Sequence, residues 1–260
     1  MELFFIAAVT LLASGLTFVS GFGLGTLLTP MFALVYPLPV AIFAGAVVHF
    51  ANNVFKCILM ARFTDWDVVT RFGVPAAIAS VAGALLLTLS HAQPALMNYT
   101  LGAQVFSVSL TGLMIGPVIV LFAWLELSKR LEQFIIPTRL LPLGGVLSGF
   151  FGGLSGNQGA LRNAFLMKSG LSKEALIASG VICAMFIDIV RLLVYDALLL
   201  PLPFDGTRGM VAPIAVATIF AVLGSALGKR LLPKVTVPFF QNLVAAFMLI
   251  IGLLLTIGLL

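Results

Sequence analysis

Two clusters of glycine interrupt long apolar segments at corresponding points in the two halves of the chain. The first is Gly21–Gly25 (GFGLG) and the second is Gly152–Gly159 (GGLSGNQG), roughly 130 residues further along a chain of 260. The apolar pieces on either side hold at most about 17 residues, whereas a helix needs about 20 to cross a bilayer. Paired breaks of this kind indicate two broken helices whose ends meet at a binding site.

Composition places the chain in the membrane. Hydrophobic residues make up 61% of it and charged residues 9%, with a mean hydropathy of +1.20. Soluble domains carry roughly a quarter charged residues, so a soluble globular protein is excluded. Uncharged blocks such as Leu3–Phe55 and Phe72–Leu125 are long enough for more than one span each. We therefore predict a polytopic helical protein in the lipid bilayer.

Termini, cysteines and net charge exclude other classes of protein. No basic residue accompanies Glu2, so we expect the first apolar stretch to belong to the fold and not to a signal peptide. Cys57 and Cys183 lie in apolar runs and are expected to pack, with no disulfide, metal or cofactor. The net charge of +5 falls in short loops between spans, which is typical of the positive-inside rule and not of nucleic-acid binding.

Eight hydrophobic segments are predicted, at about 3–36, 38–61, 73–90, 102–125, 140–168, 174–198, 209–229 and 238–259. The first and fifth contain the glycine breaks, and each is expected to form a re-entrant hairpin with irregular backbone at its tip. The other six cross the membrane, three in each half, so the second half is inverted. The predicted fold is an all-α integral membrane protein, a single domain of two inverted repeats (about 1–127 and 139–260), each a broken hairpin plus three transmembrane helices.

The placement of lysine and arginine favours these hairpins. With hairpins, the basic loops at 62–71, 129–139, 168–173 and 229–234 all lie on one side, and both termini lie on the other. The loop 91–98 on that other side has no lysine or arginine. If the broken segments crossed the membrane once, Lys168, Lys173 and the last basic loop would lie outside. The positive-inside rule therefore predicts hairpins.

The glycine-rich segments resemble those of the sulfite exporter TauE/SafE family of membrane permeases, and the resemblance covers nearly the full chain. Its strongest part is Ser148–Leu166 (SGFFGGLSGNQGALRNAFL), followed by Gly170–Ala175 (GLSKEA) and an alanine-rich span. In the first half, Ser20–Gly25 and Pro30 fit the family's glycine-rich stretch, with fewer glycines than usual. The resemblance implies transport, often export, of small anions such as sulfite, sulfoacetate or other organosulfonates.

The second break holds the densest group of polar residues. A half-helix starting near Asn157, with Ser155 or Asn157 as N-cap, would direct its free N–H groups at the centre of the protein and form an anion site. Arg162, one turn later, would lean back toward the tip and bind two oxygens of a sulfonate or carboxylate; the alternative is a pair with Asp188. The predicted substrate-binding residues here are Ser155, Gly156, Asn157, Gln158, Gly159, Arg162 and Asn163, with Gly23 and Gly25 from the first break.

A second polar group lies in the middle of segment 38–61. His49 and Asn53 are spaced i, i+4 and share a helix face, with Asn52 beside them. We include all three as candidate substrate contacts, and His49 as a candidate proton acceptor. The alternative is that they bridge helices. Lys56, one turn further on, is predicted to extend to the inner surface.

Two other patterns are expected to be mainly structural. Asp188 and Arg191 are spaced i, i+3 and are predicted to form an ion pair, with gating as the alternative role. Gly145 and Gly149 have the spacing of close helix packing, whereas Gly152–Gly159 is predicted to break the backbone.

The sequence gives less support to three other functions: an intramembrane protease, a zinc enzyme and an anion channel. The sequence Gly153–Gly156 (GLSG) fits the pattern around the serine of rhomboid-type intramembrane proteases, but no histidine follows His91 to act as the base. A zinc enzyme would need a clustered ligand set. An anion channel would need a polar stripe along several spans. We therefore predict a secondary transporter, not an enzyme, that exports small anions across a bacterial or archaeal cytoplasmic membrane; its oligomeric state stays open.

Overall fold

The structure, a computed structural model, describes residues 1–20, 24–128, 136–167, 169–199, 209–231 and 237–260. This part of the chain contains ten α-helices of eight or more residues. Those of the first half are α1 (Glu2–Ser20), α2 (Leu24–Ala33), α3 (Leu38–Met60), α4 (Val74–His91) and α5 (Leu110–Ser128). Those of the second half are α6 (Leu141–Ser155), α7 (Gly159–Leu166), α8 (Lys173–Leu198), α9 (Val211–Leu231) and α10 (Val237–Thr256).

Some predicted residues lie outside the described part. They are Gly23, Lys129, Arg130, Lys168 and Lys234, together with the side chains of Lys229 and Arg230.

Short elements link the helices. A 3₁₀ turn (Ala61–Phe63), one α-helical turn (Trp66–Val68) and a π-helical turn (Val69–Gly73) join α3 to α4, and a second 3₁₀ turn (Thr138–Leu140) precedes α6. Two antiparallel strands, β1 (Met97–Leu101) and β2 (Gln104–Val108), precede α5. The span predicted at 102–125 therefore begins only at Leu110, because Gly102, at a φ of 65°, supplies a tight turn and the chain pairs with itself.

Four helical stretches are long and apolar enough to cross a membrane. Within the described residues these are Leu38–Phe63, Trp66–His91, Lys173–Leu198 and Val211–Gly228. Shorter apolar stretches come from α1, α2, α5 and α10. The prediction of a helical, multi-pass membrane protein is confirmed.

Both glycine-broken segments fold back on themselves. Helix α6 ends at Ser155 and is capped by Gly156, whose φ of +83° favours glycine. Helix α7 then returns beside α6, so that the Phe165 ring covers Gly144. In the first half, α2 returns beside α1: the Thr10 hydroxyl lies 3.7 Å from the Met31 sulfur. Tyr36 donates to the Glu2 carboxylate at 2.7 Å and closes the base of this hairpin.

Glycines hold the helices in close contact along two matching interfaces. A Cβ atom at Gly145, Gly149 or Gly153 of α6 would overlap backbone atoms of the chain at Phe72, Ala76 or Ser80. Gly15 of α1 packs in the same way against Gly224 and Gly228 of α9. Gly153, which was predicted to break the backbone, thus packs inside a regular helix, and the break begins only at Gly156. Small residues allow this approach because they add no side chain between the backbones.

The order of these contacts gives the direction of each helix. The contacts 72–145, 76–149 and 80–153 show that α4 and α6 run in the same direction, and contacts of Leu11 and Gly15 with Gly224 and Gly228 show the same for α1 and α9. Helices α5 and α10 run antiparallel, since Gly112 meets Leu255 and Gly116 meets Gly252. Helices α3 and α8 also run antiparallel, since His49 meets Asp188 and Asp65 meets Ser179.

Buried apolar residues fill the bundle around a polar centre. One cluster, including Met31 and Phe32, packs α2 and α3 against α9. A second, including Ile119 and Met248, packs α5 against α10, and a third surrounds Phe72. The polar side chains between these clusters form the candidate site.

Candidate functional site

The tips of the two hairpins meet in the middle of the molecule. A Cβ atom on Gly25 would lie 2.8 Å from the carbonyl oxygen of Gly156, so only glycine allows this approach. Thr29, one turn into α2, donates its hydroxyl to the carbonyl oxygen of Ser155 at 3.1 Å. The structure therefore brings together the two breaks that were singled out in the sequence, and the N-terminal ends of α2 and α7 converge there.

Asp188, fully buried on α8, connects this meeting point to the surrounding helices. Its Oδ1 accepts from Arg191 Nε at 3.0 Å and Nη2 at 2.7 Å, and from Gln158 Nε2 at 3.2 Å. Its Oδ2 accepts from His49 Nδ1 at 2.6 Å and Asn53 Nδ2 at 3.1 Å. The predicted Asp188–Arg191 ion pair is present.

Buried polar atoms without a hydrogen-bond partner are concentrated in α7 and in the turn that precedes it. In the described part of the chain, six buried side-chain nitrogen or oxygen atoms have no hydrogen-bond partner, and five belong to three residues. They are Nδ2 and Oδ1 of Asn157, Oε1 of Gln158, and Nε and Nη1 of Arg162. Leaving a buried polar group unsatisfied costs about 1–3 kcal/mol. Each of these atoms calls for a partner that the protein does not supply, such as water or a bound ion.

Arg162 lies beside α8. A Cβ atom on Gly180 would be 3.4 Å from its Nε, so the absence of a side chain at Gly180 makes room for the guanidinium. Asp188 is occupied by Arg191 and His49, and no ion pair joins it to Arg162 among the described residues. The alternative that Arg162 pairs with Asp188 is therefore wrong, because other donors already satisfy that carboxylate.

The start of α7 differs from the prediction. Its N-cap position is Gln158, whose side chain makes no capping hydrogen bond. Ser155 instead donates to the carbonyl of Phe151 at 3.1 Å and accepts from the Asn157 N–H at 3.4 Å. The predicted N-caps, Ser155 and Asn157, are wrong because residues 156–158 are used to reverse the chain. The helix starts at Gly159, and its first intrahelical donor is Arg162 N–H, to the Gln158 carbonyl at 3.1 Å.

The comparison with protein families decides the identity of this bundle. The sulfite exporter TauE/SafE family model matches residues 6–255. The chain belongs to this family. Members are membrane transporters of sulfur-containing anions and not enzymes, so its substrate is a small anion and the protease alternative is excluded. Among curated proteins, no sequence matches the chain.

In this TauE/SafE transporter, His49 and Asn53 belong to the polar centre but Asn52 does not. When its amide is oriented by its hydrogen bonds, Asn52 faces α9, donating to the Ala221 carbonyl at 3.1 Å and to Ser225 Oγ at 2.8 Å. Its Oδ1 then accepts from Lys56 Nζ at 3.2 Å. Asn52 therefore bridges helices, which was the alternative role.

The prediction for Lys56 is wrong. The side chain is buried, with 7% of its surface exposed, and it does not extend to the inner surface. The reason is local: its ammonium group reaches back one helical turn to Asn52.

Sequence reasoning missed Tyr195 of the TauE/SafE site. The Tyr195 hydroxyl donates to the carbonyl of Gly153, and Arg191 Nη1 donates to the carbonyl of Gly152 at 3.1 Å. Both side chains thus donate to carbonyls in the last turn of α6, where helical partners run out. The Gly152 carbonyl also accepts from the Gly156 N–H at 3.0 Å. The sequence spacing could have indicated Tyr195, because Asp188, Arg191 and Tyr195 are spaced i, i+3, i+7 and therefore share one face of α8.

Proposed function

We propose that this chain is a secondary transporter that exports organosulfonates or sulfite, and that the anionic head binds at the hairpin tips beside Arg162. The observation that carries the proposal is the set of five buried, unpartnered atoms of Asn157, Gln158 and Arg162. They lie at the start of α7, where free N–H groups and the positive end of the helix dipole favour an anion.

The chemistry of these groups suits a sulfonate. Nε and Nη1 of Arg162 offer two N–H donors on one planar group, which fits two oxygens of the same anion. Asn157 Nδ2 offers a third, neutral donor. The unpartnered oxygens of Asn157 and Gln158 would accept from water or from a donor on the substrate. Because most of these groups are neutral, the anion can be bound and still released.

The packing of the helices supports transport by alternating access. The site lies between the two halves, with Gly25 and His49 from the first and Gln158 and Arg162 from the second. Exchanging α1, α3, α4 and α5 for α6, α8, α9 and α10 maps the parallel pair α4–α6 onto the parallel pair α1–α9. The same exchange maps the pairs α3–α8 and α5–α10 onto themselves. The antiparallel pairs α3–α8 and α5–α10 fit a twofold axis in the membrane plane, and therefore inverted repeats with the substrate between them. A channel needs no such arrangement.

Arg162 variants test the proposal. The best ligand is first chosen by thermal shift from sulfite, sulfoacetate, taurine, thiosulfate and short carboxylates. Arg162→Ala should then weaken binding by about 1.5–3 kcal/mol, the range for a charge-assisted hydrogen bond, which is tenfold or more in affinity. Arg162→Lys keeps the charge but not the planar fork, so we expect a smaller loss.

Arg71→Ala is the matched control, since Arg71 pairs with Asp67 at the surface. The Arg71→Ala substitution should leave the affinity for the chosen anion unchanged. Unchanged affinity in folded Arg162→Ala would move the anion site elsewhere and contradict the proposal.

A further inference from the structure

The two ring nitrogens of His49 face different surroundings. Nδ1 lies 2.6 Å from Asp188 Oδ2. On the opposite edge, Nε2 lies 3.6 Å from the position of a Cβ on Gly25, and that same position is 2.8 Å from the Gly156 carbonyl oxygen. His49, which is 3% exposed, therefore bridges the Asp188 carboxylate and the point where the hairpin tips meet.

The hydrogen bonds assign the protons on this ring. Asp188 is paired with Arg191 and is therefore an ionised acceptor, so His49 Nδ1 donates its proton to it. In the neutral ring the remaining lone pair is on Nε2. A proton that binds to His49 must therefore enter at Nε2, beside the tips.

The surrounding charges determine when that proton is stable. Asp188 Oδ2, 2.6 Å from Nδ1, favours a proton on the ring, but the same carboxylate already pairs with Arg191, and Arg162 of α7 adds a positive charge. Lys56, on the same helix as His49, contacts Asn52. Helix α2, on the other side of the ring, has no ionisable residue. With a proton on His49, this buried region would hold more positive groups than the one carboxylate can compensate, which is costly without a second counter-ion. An anion at the hairpin tips would be that counter-ion.

We infer that His49 binds a proton together with the transported anion, so that the two are carried as a pair. This inference rests on the anion site proposed above. Because linkage is reciprocal, the bound anion raises the proton affinity of His49 by the same factor by which the proton raises the anion affinity. Each proton that is carried with the anion reduces the negative charge moved across the membrane by one unit. The direction of transport then depends on both the anion gradient and the pH gradient.

Anion binding at several pH values tests the inference. Sulfoacetate is the probe, because both its acid groups stay ionised from about pH 6 to about pH 8.5, where histidine titrates. Its affinity for the unmodified protein should fall as the pH rises, by up to about tenfold per pH unit for one coupled proton. In His49→Gln, whose amide can still donate to Asp188 but cannot take up a proton, the affinity should not change with pH.

His91→Gln is the matched control, because His91, the last residue of α4, is the other of the two histidines in the chain. It should keep the pH dependence of the unmodified protein. A His49→Gln protein that also keeps this dependence would contradict the inference and place the proton elsewhere.

A second measurement needs no variant. Sulfoacetate added to the unmodified protein in weakly buffered solution should cause uptake of up to about one proton per anion, read from an indicator dye. Binding without proton uptake would contradict the inference and leave the proposed anion site intact. No binding of any sulfonate or sulfite would contradict the proposed function, and the inference with it.

Discussion

Asp188 and Asp67 both pair with an arginine, in opposite surroundings. The side chains of Asp188 and Arg191 are 0% and 1% exposed, whereas those of Asp67 and Arg71 are 65% and 54% exposed. Asp188→Asn leaves Arg191 as an uncompensated buried charge, which should cost about 3–5 kcal/mol of stability. Asp67→Asn should cost less than about 1 kcal/mol, because water screens the exposed pair. Thermal unfolding in detergent measures both, and equal shifts would show that the Asp188 pair is not structural.

Gly25 and Gly45 give a second comparison of single residues. A Cβ on Gly25 would lie 2.8 Å from a backbone oxygen of the other hairpin, whereas one on Gly45 would lie 3.3 Å from the Leu28 side chain. Gly25→Ala should therefore push the tips apart, cost about 1–3 kcal/mol and lower anion affinity. Gly45→Ala should leave anion affinity nearly unchanged. Equal affinities in the two folded variants would mean that close contact of the tips does not shape the site.

At the scale of single residues, the sequence indicates which residues are polar but not always which helix each of them faces. Asn157, Gln158 and Arg162 could be selected because they follow a glycine break. The spacing of His49 and Asn53 correctly indicated a shared face. Asn52 is adjacent in sequence but about 100° away around the helix, so it faces α9 instead. Which helix lies on each side depends on tertiary packing. For that reason the sequence could not decide between the two roles considered for Asn52, and it could not show that Lys56 is buried.

At the scale of elements, the hairpins could be predicted and the exact helix ends could not. Apolar pieces too short to cross a bilayer allow few arrangements, and glycine marks where the chain turns. The start of α7 was misplaced because a left-handed Gly156 and two further residues form the reversal. The β-hairpin at 97–108 was missed because its second strand, Gln104–Val108, was read as the start of the following span.

The interface between α4 and α6 leads to a prediction about paired elements. A Cβ at Gly149 would overlap the Ala76 backbone, whereas Val146 of the same helix is 44% exposed. Gly149→Ala should separate the helices and cost about 1–3 kcal/mol, while Val146→Ala should change stability by less than about 0.5 kcal/mol. Thermal unfolding of the two variants decides this, and similar stability would show that the helices can separate at little cost.

At the scale of the whole molecule, the basic loops of the described chain gather at one end of the bundle. Gly145 packs on Phe72, so α6 begins beside Arg71. The Asp65 N–H donates to Ser179 Oγ at 2.9 Å, so α8 begins at the same end. This arrangement follows from two hairpins that each return to the side where they started, and it agrees with the positive-inside rule. The repeat boundaries themselves stay a prediction.

Membrane sidedness tests that arrangement directly. Single cysteines replace the exposed residues Gln93, Arg139 and Glu174 in a protein with Cys57→Ala and Cys183→Ala. If the second broken segment is a hairpin, positions 139 and 174 lie on the cytoplasmic side, and position 93, at the other end of α4, lies outside. An impermeant thiol reagent added to intact cells should therefore label position 93, and label 139 and 174 only after the membrane is opened. Labelling of position 174 in intact cells, with 139 protected, would mean that the chain between them crosses the membrane. The two hairpin tips could then not approach the midplane as ends of inverted repeats, and the proposed site between the halves would be wrong.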